Sequence, residues 1–408
     1  MQTPEPGTPL AGKTDTPPAP MRIAYVTETF PPEINGVALT VARTIRHLRA
    51  HGHVVDLIRP RQPLAMAEDD GREGPQWLTR GVPFPLYPEL RFGLESPGAL
   101  ARRFEAELPD LVHLATPGPL AWSALRAARK LGLAVSSDFR TNFHQYSGYY
   151  HLGVLGPVVL GILRQLHNRT DRTFVPTRAL ARELTAAGFQ RLVVLGRGVD
   201  TELFRPERRS LELRASWGAA DDTPVLLSVG RVAAEKNIRL ALRAYRALRQ
   251  RHTDARLVVV GDGPLREELA LEHPDVRFLG VRQGEALAAC YASADLFLFP
   301  SLTETFGNVT LEALASGLPV VAFDSAAAAE HVQPGASGLL VPPGHEAGFE
   351  EAVCALGADP ARLEPMRAGA LAAGRAARWD DVLGRFERHL QDILDGHQAP
   401  SAAAAVVA

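Results

Sequence analysis

From Met21 onward, short apolar runs alternate with segments whose apolar residues recur at helical spacing. RIAYVTET predicts a strand, a Pro-rich turn follows, VALTVARTIRHLRAHG predicts a helix terminated by Gly52, and VVDLIRP predicts a second strand. This is a βαβ unit, and LVHLA and LAVSSDF extend it on either side of the alanine-rich segment 120–130. A second series begins after residue 200, with strands at PVLLSVG, RLVVVGDG, VRFLG, DLFLFPS, LPVVAFD and GLLVP separated by helical segments. Short apolar runs alternating with helices predict parallel sheets covered on both faces. The expected fold class is therefore α/β, with one doubly wound, Rossmann-like architecture built twice.

The pattern predicts a disordered tail over 1–20, an N-terminal domain over 21–197 and a C-terminal domain over 198–375. A helix over 376–397 is expected to pack back toward the first domain, and 398–408 to form a loose tail. GRGVDTELFRPERRS is turn-rich and charged, which places the hinge near residues 195–205. A length of 408 residues agrees, since one hydrophobic core does not grow that far.

Composition narrows the function. With 46% hydrophobic residues, 22% charged residues and a formal net charge of -2, the chain lacks the basic footprint of a nucleic-acid binder. Cys290 and Cys354 are the only cysteines and belong to no CxxC or Cys/His cluster, so neither a disulfide framework nor a structural zinc site is expected. A reducing compartment, the cytoplasm, fits. The first twenty residues have neither a basic start nor an apolar core, which argues against a secretory signal. GVLGPVVLGIL, residues 153–163, is shorter than the roughly 20 residues needed to span a bilayer. It reads as a buried core helix; the alternative is an amphipathic helix lying on a membrane, followed by Arg164 and Arg169.

In open α/β sheets, ligands sit beyond the carboxyl ends of the strands. Four places there carry candidate chemistry. In GRVAAEKN, Arg231 and Lys236 flank a turn and are suited to a diphosphate, the first as a planar fork and the second as a compact charge. In VVVGDGPLREEL, Gly261 and Gly263 form a tight strand-to-helix turn, but Arg266 occupies the position where a dinucleotide fingerprint needs its third glycine. In TFPPEINGV, Gly36 leaves room for an anion to approach backbone N–H groups at a helix start. In ETFGNVTLE, Asn308 is the expected N-cap of a helix over 309–316, with Phe306, Gly307, Asn308 and Val309 at its mouth and Glu304 and Glu312 on either side. Carboxylates suit vicinal hydroxyls of a sugar or ribose, and the helix mouth suits phosphate.

The series GRVAAEKN, GDGPL, FPSLTETFGNVTLEALASGLPVVA and GLLVPPG resembles the carboxyl-terminal half of glycosyltransferase family four, whose members are retaining enzymes of the GT-B fold. ETFPPEINGVALTVARTIRHLRAHGH and SDFRTNFHQY resemble the same family, especially bacterial members that transfer α-mannosyl, α-glucosyl or sulfoquinovosyl groups to lipid-linked acceptors. The resemblance spans residues 21–395, and the E-x7-E spacing is its most specific part. It implies that Arg231 and Lys236 grip the nucleotide diphosphate and stabilise its departing charge. It also implies that Glu304 holds the donor hexose, Glu312 the ribose, that Phe306, Gly307 and Asn308 donate backbone hydrogen bonds, and that Gly36 closes over the diphosphate from the facing domain.

One departure is visible. Close members of the family carry histidine where this chain has Arg140, and only His144 is nearby. Arg140 stays protonated, so phosphate or an anionic acceptor is its expected partner rather than a proton. His113 ends a strand, with a cleft-facing position and a satisfied core position as equal alternatives.

The expected function is transfer of a hexose from a UDP- or GDP-sugar to an acceptor hydroxyl, with retention. The acceptor is unknown, with a membrane glycolipid and peripheral attachment to the inner membrane face kept open. No D-x-D triplet is present, so no metal and no cofactor are expected, and Arg231, Lys236 and the helix mouth would neutralise the diphosphate. The donor base is expected to be read by backbone groups around Gly280 and Val281. The alternative on the same scaffold is a nucleotide-sugar epimerase. The intact charged set argues against a dead binding protein, and the missing fingerprint against a nicotinamide oxidoreductase.

Overall fold

The computed structural model describes residues 19–33, 36–62, 74–84, 87–140, 156–304, 306–357 and 359–398. Two sheets organise them. The first contains β1 (Arg22–Val26), β2 (Val54–Pro60), β3 (Gln76–Phe84), β4 (Tyr87–Leu94), β5 (Leu111–Leu114), β6 (Ala134–Asp138), β7 (Arg172–Val175) and β8 (Leu192–Val194), ordered β4-β3-β2-β1-β5-β6-β7-β8. The second contains β9 (Val225–Val229), β10 (Arg256–Val260), β11 (Arg277–Phe278), β12 (Leu296–Phe299), β13 (Val320–Phe323) and β14 (Gly338–Val341), ordered β11-β10-β9-β12-β13-β14. All pairings are parallel except the β3–β4 hairpin, which the apolar pattern did not predict.

The strands read as unbroken apolar runs because both faces are covered. In β9 every residue is buried, with Leu226 in one apolar cluster and Val225, Leu227 and Val229 in another. Each sheet changes winding direction once, between β1 and β5 and between β9 and β12. Ligand crevices of doubly wound sheets open at such points.

The chain crosses between lobes twice. Val199 N–H donates to Ala377 O at 2.9 Å, Val199 and Arg378 form a parallel bridge, and a side chain on Gly198 would stand 2.5 Å from Trp379 Cα. The helix Trp379–Gln398 then lies on the first lobe: Phe386, Leu390, Ile393 and Leu394 share an apolar cluster with Ile23, Tyr25, Ile45 and Phe174. Burying four such side chains is worth on the order of 10 kcal/mol before conformational entropy is subtracted.

The helix Gly156–His167 corrects the reading of its segment as a core helix. Leu163, Leu166 and His167 face inward, but Val158 is 58% and Ile162 48% exposed. The terminal segments expected to be disordered or loose lie outside the described residues, apart from Ala19, Pro20 and Gln398.

Candidate active site at the sheet switch points

The loops after β9 and β12 are neighbours because those strands are adjacent. The first carries Arg231 and Lys236 and the second carries Glu304. Lys236 Nζ forms an ion pair with Glu304 Oε1, to which Ser301 Oγ also donates at 3.1 Å. Arg231, 62% exposed, pairs instead with Glu235 at 3.3 Å. The two cations therefore border one small cavity, with Ser228, Gly230 and Phe299, but are held by different carboxylates.

Two glycines of the neighbouring turn are required by packing. A side chain on Gly261, whose φ is 137°, would lie 1.9 Å from Gly230 O, and one on Gly263 would lie 2.4 Å from Val232 O. The β10 turn thus lies directly against the loop that carries Arg231.

At the mouth of the helix Asn308–Ala315, the expected cap is corrected. Gly307 is the cap, in a left-handed conformation with φ 85°, and Asn308 is the first helical residue. An asparagine side chain caps from an extended backbone, whereas this chain enters from a left-handed turn that glycine adopts without penalty. The Asn308 Oδ1 atom is buried with no hydrogen-bond partner among the described residues. Phe306 is buried under the turn and its carbonyl accepts from Ala327 N–H at 2.7 Å. Val309 packs on the core of the second lobe. Glu312 accepts from the Tyr291 hydroxyl at 2.9 Å; burial pushes its carboxyl up to about 7, and that hydrogen bond opposes the rise.

From the first lobe, Gly36 opens the helix Gly36–Ala50. A side chain there would lie 3.3 Å from Arg197 Nη1, so the backbone approaches this guanidinium closely. Arg197 was not singled out from the sequence, where it sits in the hinge segment. It is only 9% exposed, and its guanidinium lies 5.9 Å from the Phe306 ring centre. Burial and the neighbouring Arg140 cation lower its pKa to about 10, while Glu304 and Asp138 pull the other way. Arginine at the lobe junction thus links Gly36, Phe306 and the acid Glu304.

Arg140 follows β6 and its Nε donates to Asp138 Oδ2 at 2.5 Å. Burial alone would raise the Asp138 carboxyl, but Arg140 and His113 hold it below its ordinary value. His113 is fully buried, bonded to Ser136 Oγ at 2.8 Å and to Asp138 at 3.2 Å. That corrects its candidacy as an acceptor-side residue: it supports the Asp138–Arg140 pair from the core. His144 lies outside the described residues.

Comparison with known proteins shows the family and the fold. The family described as Glycosyltransferase Family 4 matches residues 34–203, and Glycosyl transferases group 1 matches residues 223–359. A GDP-mannose-dependent alpha-mannosyltransferase of Mycolicibacterium smegmatis is 38% identical over 383 residues, covering 92% of this chain and 96% of that protein. An alpha-monoglucosyldiacylglycerol synthase of Streptococcus pneumoniae is 30% identical over 322 residues, covering 74% of this chain and 71% of that protein. Among solved structures, Anabaena Alr3699/HepE in complex with UDP superposes with a TM-score of 0.72 at 19% identity, covering 91% of this chain and all of that one. The fold is GT-B, two Rossmann-like lobes facing each other.

Proposed function

Because the chain belongs to glycosyltransferase family four and is a glycosyltransferase acting from a nucleotide-sugar donor, we propose that it moves mannose from GDP-mannose to a lipid-linked hydroxyl, with retention and without a metal at the diphosphate. The observation that carries this reading is the Lys236–Glu304 pair at the switch point of β9 and β12, facing the buried Arg197.

A nucleotide diphosphate entering there meets Lys236, Arg231 and the amide groups at the start of the helix Asn308–Ala315. Charge on the leaving oxygens develops against these fixed cations and dipoles, which need no reorganisation when the glycosidic bond breaks. The phosphate competes with Glu304 for Lys236, which frees that carboxylate to accept from sugar hydroxyls. Glu312, behind it, accepts from ribose. Arg140, fixed by Asp138, presents a permanent positive charge from the acceptor lobe.

The donor reading rests on the Mycolicibacterium relative and the lipid reading on the Streptococcus relative, together with the exposed Val158 and Ile162 on the first lobe. Incubation of the purified chain with GDP-mannose, UDP-glucose and UDP-galactose, with and without membrane lipid, tests both, with nucleotide release as readout. GDP release that depends on lipid, persists with chelator and yields an α-linked product by NMR is expected. Release from UDP-sugars alone overturns the donor assignment.

A further inference from the structure

Three histidines surround one carboxylate where the C-terminal helix crosses the helix Gly36–Ala50. His47 Nε2 lies 3.4 Å and His51 Nδ1 2.8 Å from Glu387 Oε2, while His53 Nε2 lies 2.9 Å from Glu387 Oε1. These residues lie far from the switch points: His47 is about 16 Å of helical rise from Gly36.

Met21 N–H donates to His53 Nδ1 at 3.0 Å, so a neutral His53 carries its proton on Nε2 and donates it to Glu387 Oε1. That bond fixes the carboxylate and leaves Oε2 directed at the other two rings. His47 is the informative group, because its side chain is only 7% exposed and its Nε2 makes no hydrogen bond among the described residues. A buried imidazole nitrogen without a well-aligned hydrogen bond is costly, and here it faces the anionic Glu387 Oε2 at 3.4 Å.

We propose that His47 Nε2, His51 Nδ1 and Glu387 Oε2 bind one zinc ion that staples the C-terminal helix to the first lobe. One ligand atom from each of the three residues lies within 4.8 Å of the other two. Tetrahedral zinc with bonds of about 2.0–2.1 Å separates its ligand atoms by roughly 3.3 Å. The 3.4 Å between His47 and Glu387 already fits that spacing, and His51, 48% exposed, has room to move outward by the remaining half ångström. His51 directly follows the helix Gly36–Ala50 and its N–H donates to His47 O at 3.0 Å, so the two rings, four residues apart, continue the helical spacing onto one side, as a chelate requires. His53 is the outer partner that orients the carboxylate, a standard support for a zinc ligand. Water completes the fourth position, and the ion ties the C-terminal helix to the first lobe.

The test uses the full chain without a polyhistidine tag, stripped with chelator and titrated with zinc sulfate in a calorimeter. One equivalent should bind with a Kd of about 1 µM or tighter, and saturating zinc should raise Tm by several degrees. Cobalt should give the intense visible absorption of a tetrahedral site. His51→Asn, at a half-exposed position that leaves the fold intact, should weaken zinc at least about tenfold, and His47→Gln likewise. Absence of stoichiometric uptake, or unchanged affinity in both variants, overturns the proposal. Nucleotide release by the stripped protein at 25 °C should persist, which separates this outcome from any failure of the donor assignment.

Discussion

The Tyr291 hydroxyl donates to Glu312 Oε2 at 2.9 Å, and burial of this pair pushes the Glu312 carboxyl up to about 7. Donor binding should therefore titrate near neutrality. Below pH 7 the protonated acid is a poorer acceptor for ribose hydroxyls, so kcat/KM for the donor should fall, by at most about tenfold per pH unit. Glu312→Gln should flatten that limb, and a wild-type profile flat from pH 6 to 8 would remove Glu312 from donor binding.

The same shift carries a stability consequence. A carboxyl whose folded pKa lies above its ordinary value of 4.5 contributes stability that is fully present below pH 4.5 and is lost as pH rises through about 7. Scanning calorimetry should show the Tm of Glu312→Gln gaining on wild type between pH 5 and 8. A constant difference across that window would contradict the assignment.

Lys236 and Glu304 should be separable kinetically. On the proposed function, Lys236→Ala would remove a cation that neutralises the leaving diphosphate, and should lower kcat/KM by roughly 10²–10³-fold. Glu304→Ala should cost several orders of magnitude in kcat, because contacts to the reacting sugar strengthen in the transition state. Single-turnover nucleotide release reads both; near-wild-type rates in Glu304→Ala would exclude it from the reaction.

Arg197 should tolerate no conservative exchange. Its guanidinium occupies a confined place between Gly36 and Phe306, where a planar fork fits and a flexible ammonium does not. Arg197→Lys is expected to reduce kcat/KM by about 10²-fold while leaving Tm within a few degrees. Unchanged turnover would make this a packing residue only.

Gly261→Ala should prevent folding of the second lobe or lower Tm sharply, since the new methyl group meets a backbone carbonyl at 1.9 Å. Gly284→Ala is the control: its φ of 53° carries strain, but nothing lies within 4 Å, so a loss of about 1 kcal/mol is expected. Thermal melts of the two variants should differ widely.

Much of this arrangement is legible in the chain itself. Unbroken apolar runs such as PVLLSV read as strands covered on both faces, as β9 is, and the loops following such strands carry Arg231, Lys236 and Glu304. The β3–β4 hairpin was missed because its sequence, QWLTRGVPF then YPELRFGL, contains prolines and charges that interrupt the apolar pattern. Asn308 was misplaced by one position since capping preference is a property of side chains, whereas Gly307 is selected by a backbone angle. Arg197 was not singled out because a cation in a glycine-rich hinge looks like any solvated turn residue; only the folded chain brings it to 9% exposure. The three histidines are invisible for a related reason: their carboxylate lies 336 residues from His51, and no spacing rule reaches that far.

The return of the helix Trp379–Gln398 to the first lobe leaves that lobe incomplete without it. A fragment ending at the crossover would leave Tyr25, Phe174 and their neighbours without the cover that Phe386 and Leu390 provide. During synthesis, the first half must wait for the twenty-residue helix Trp379–Gln398 before its sheet is covered, so completion of the amino-terminal core follows that of the second lobe.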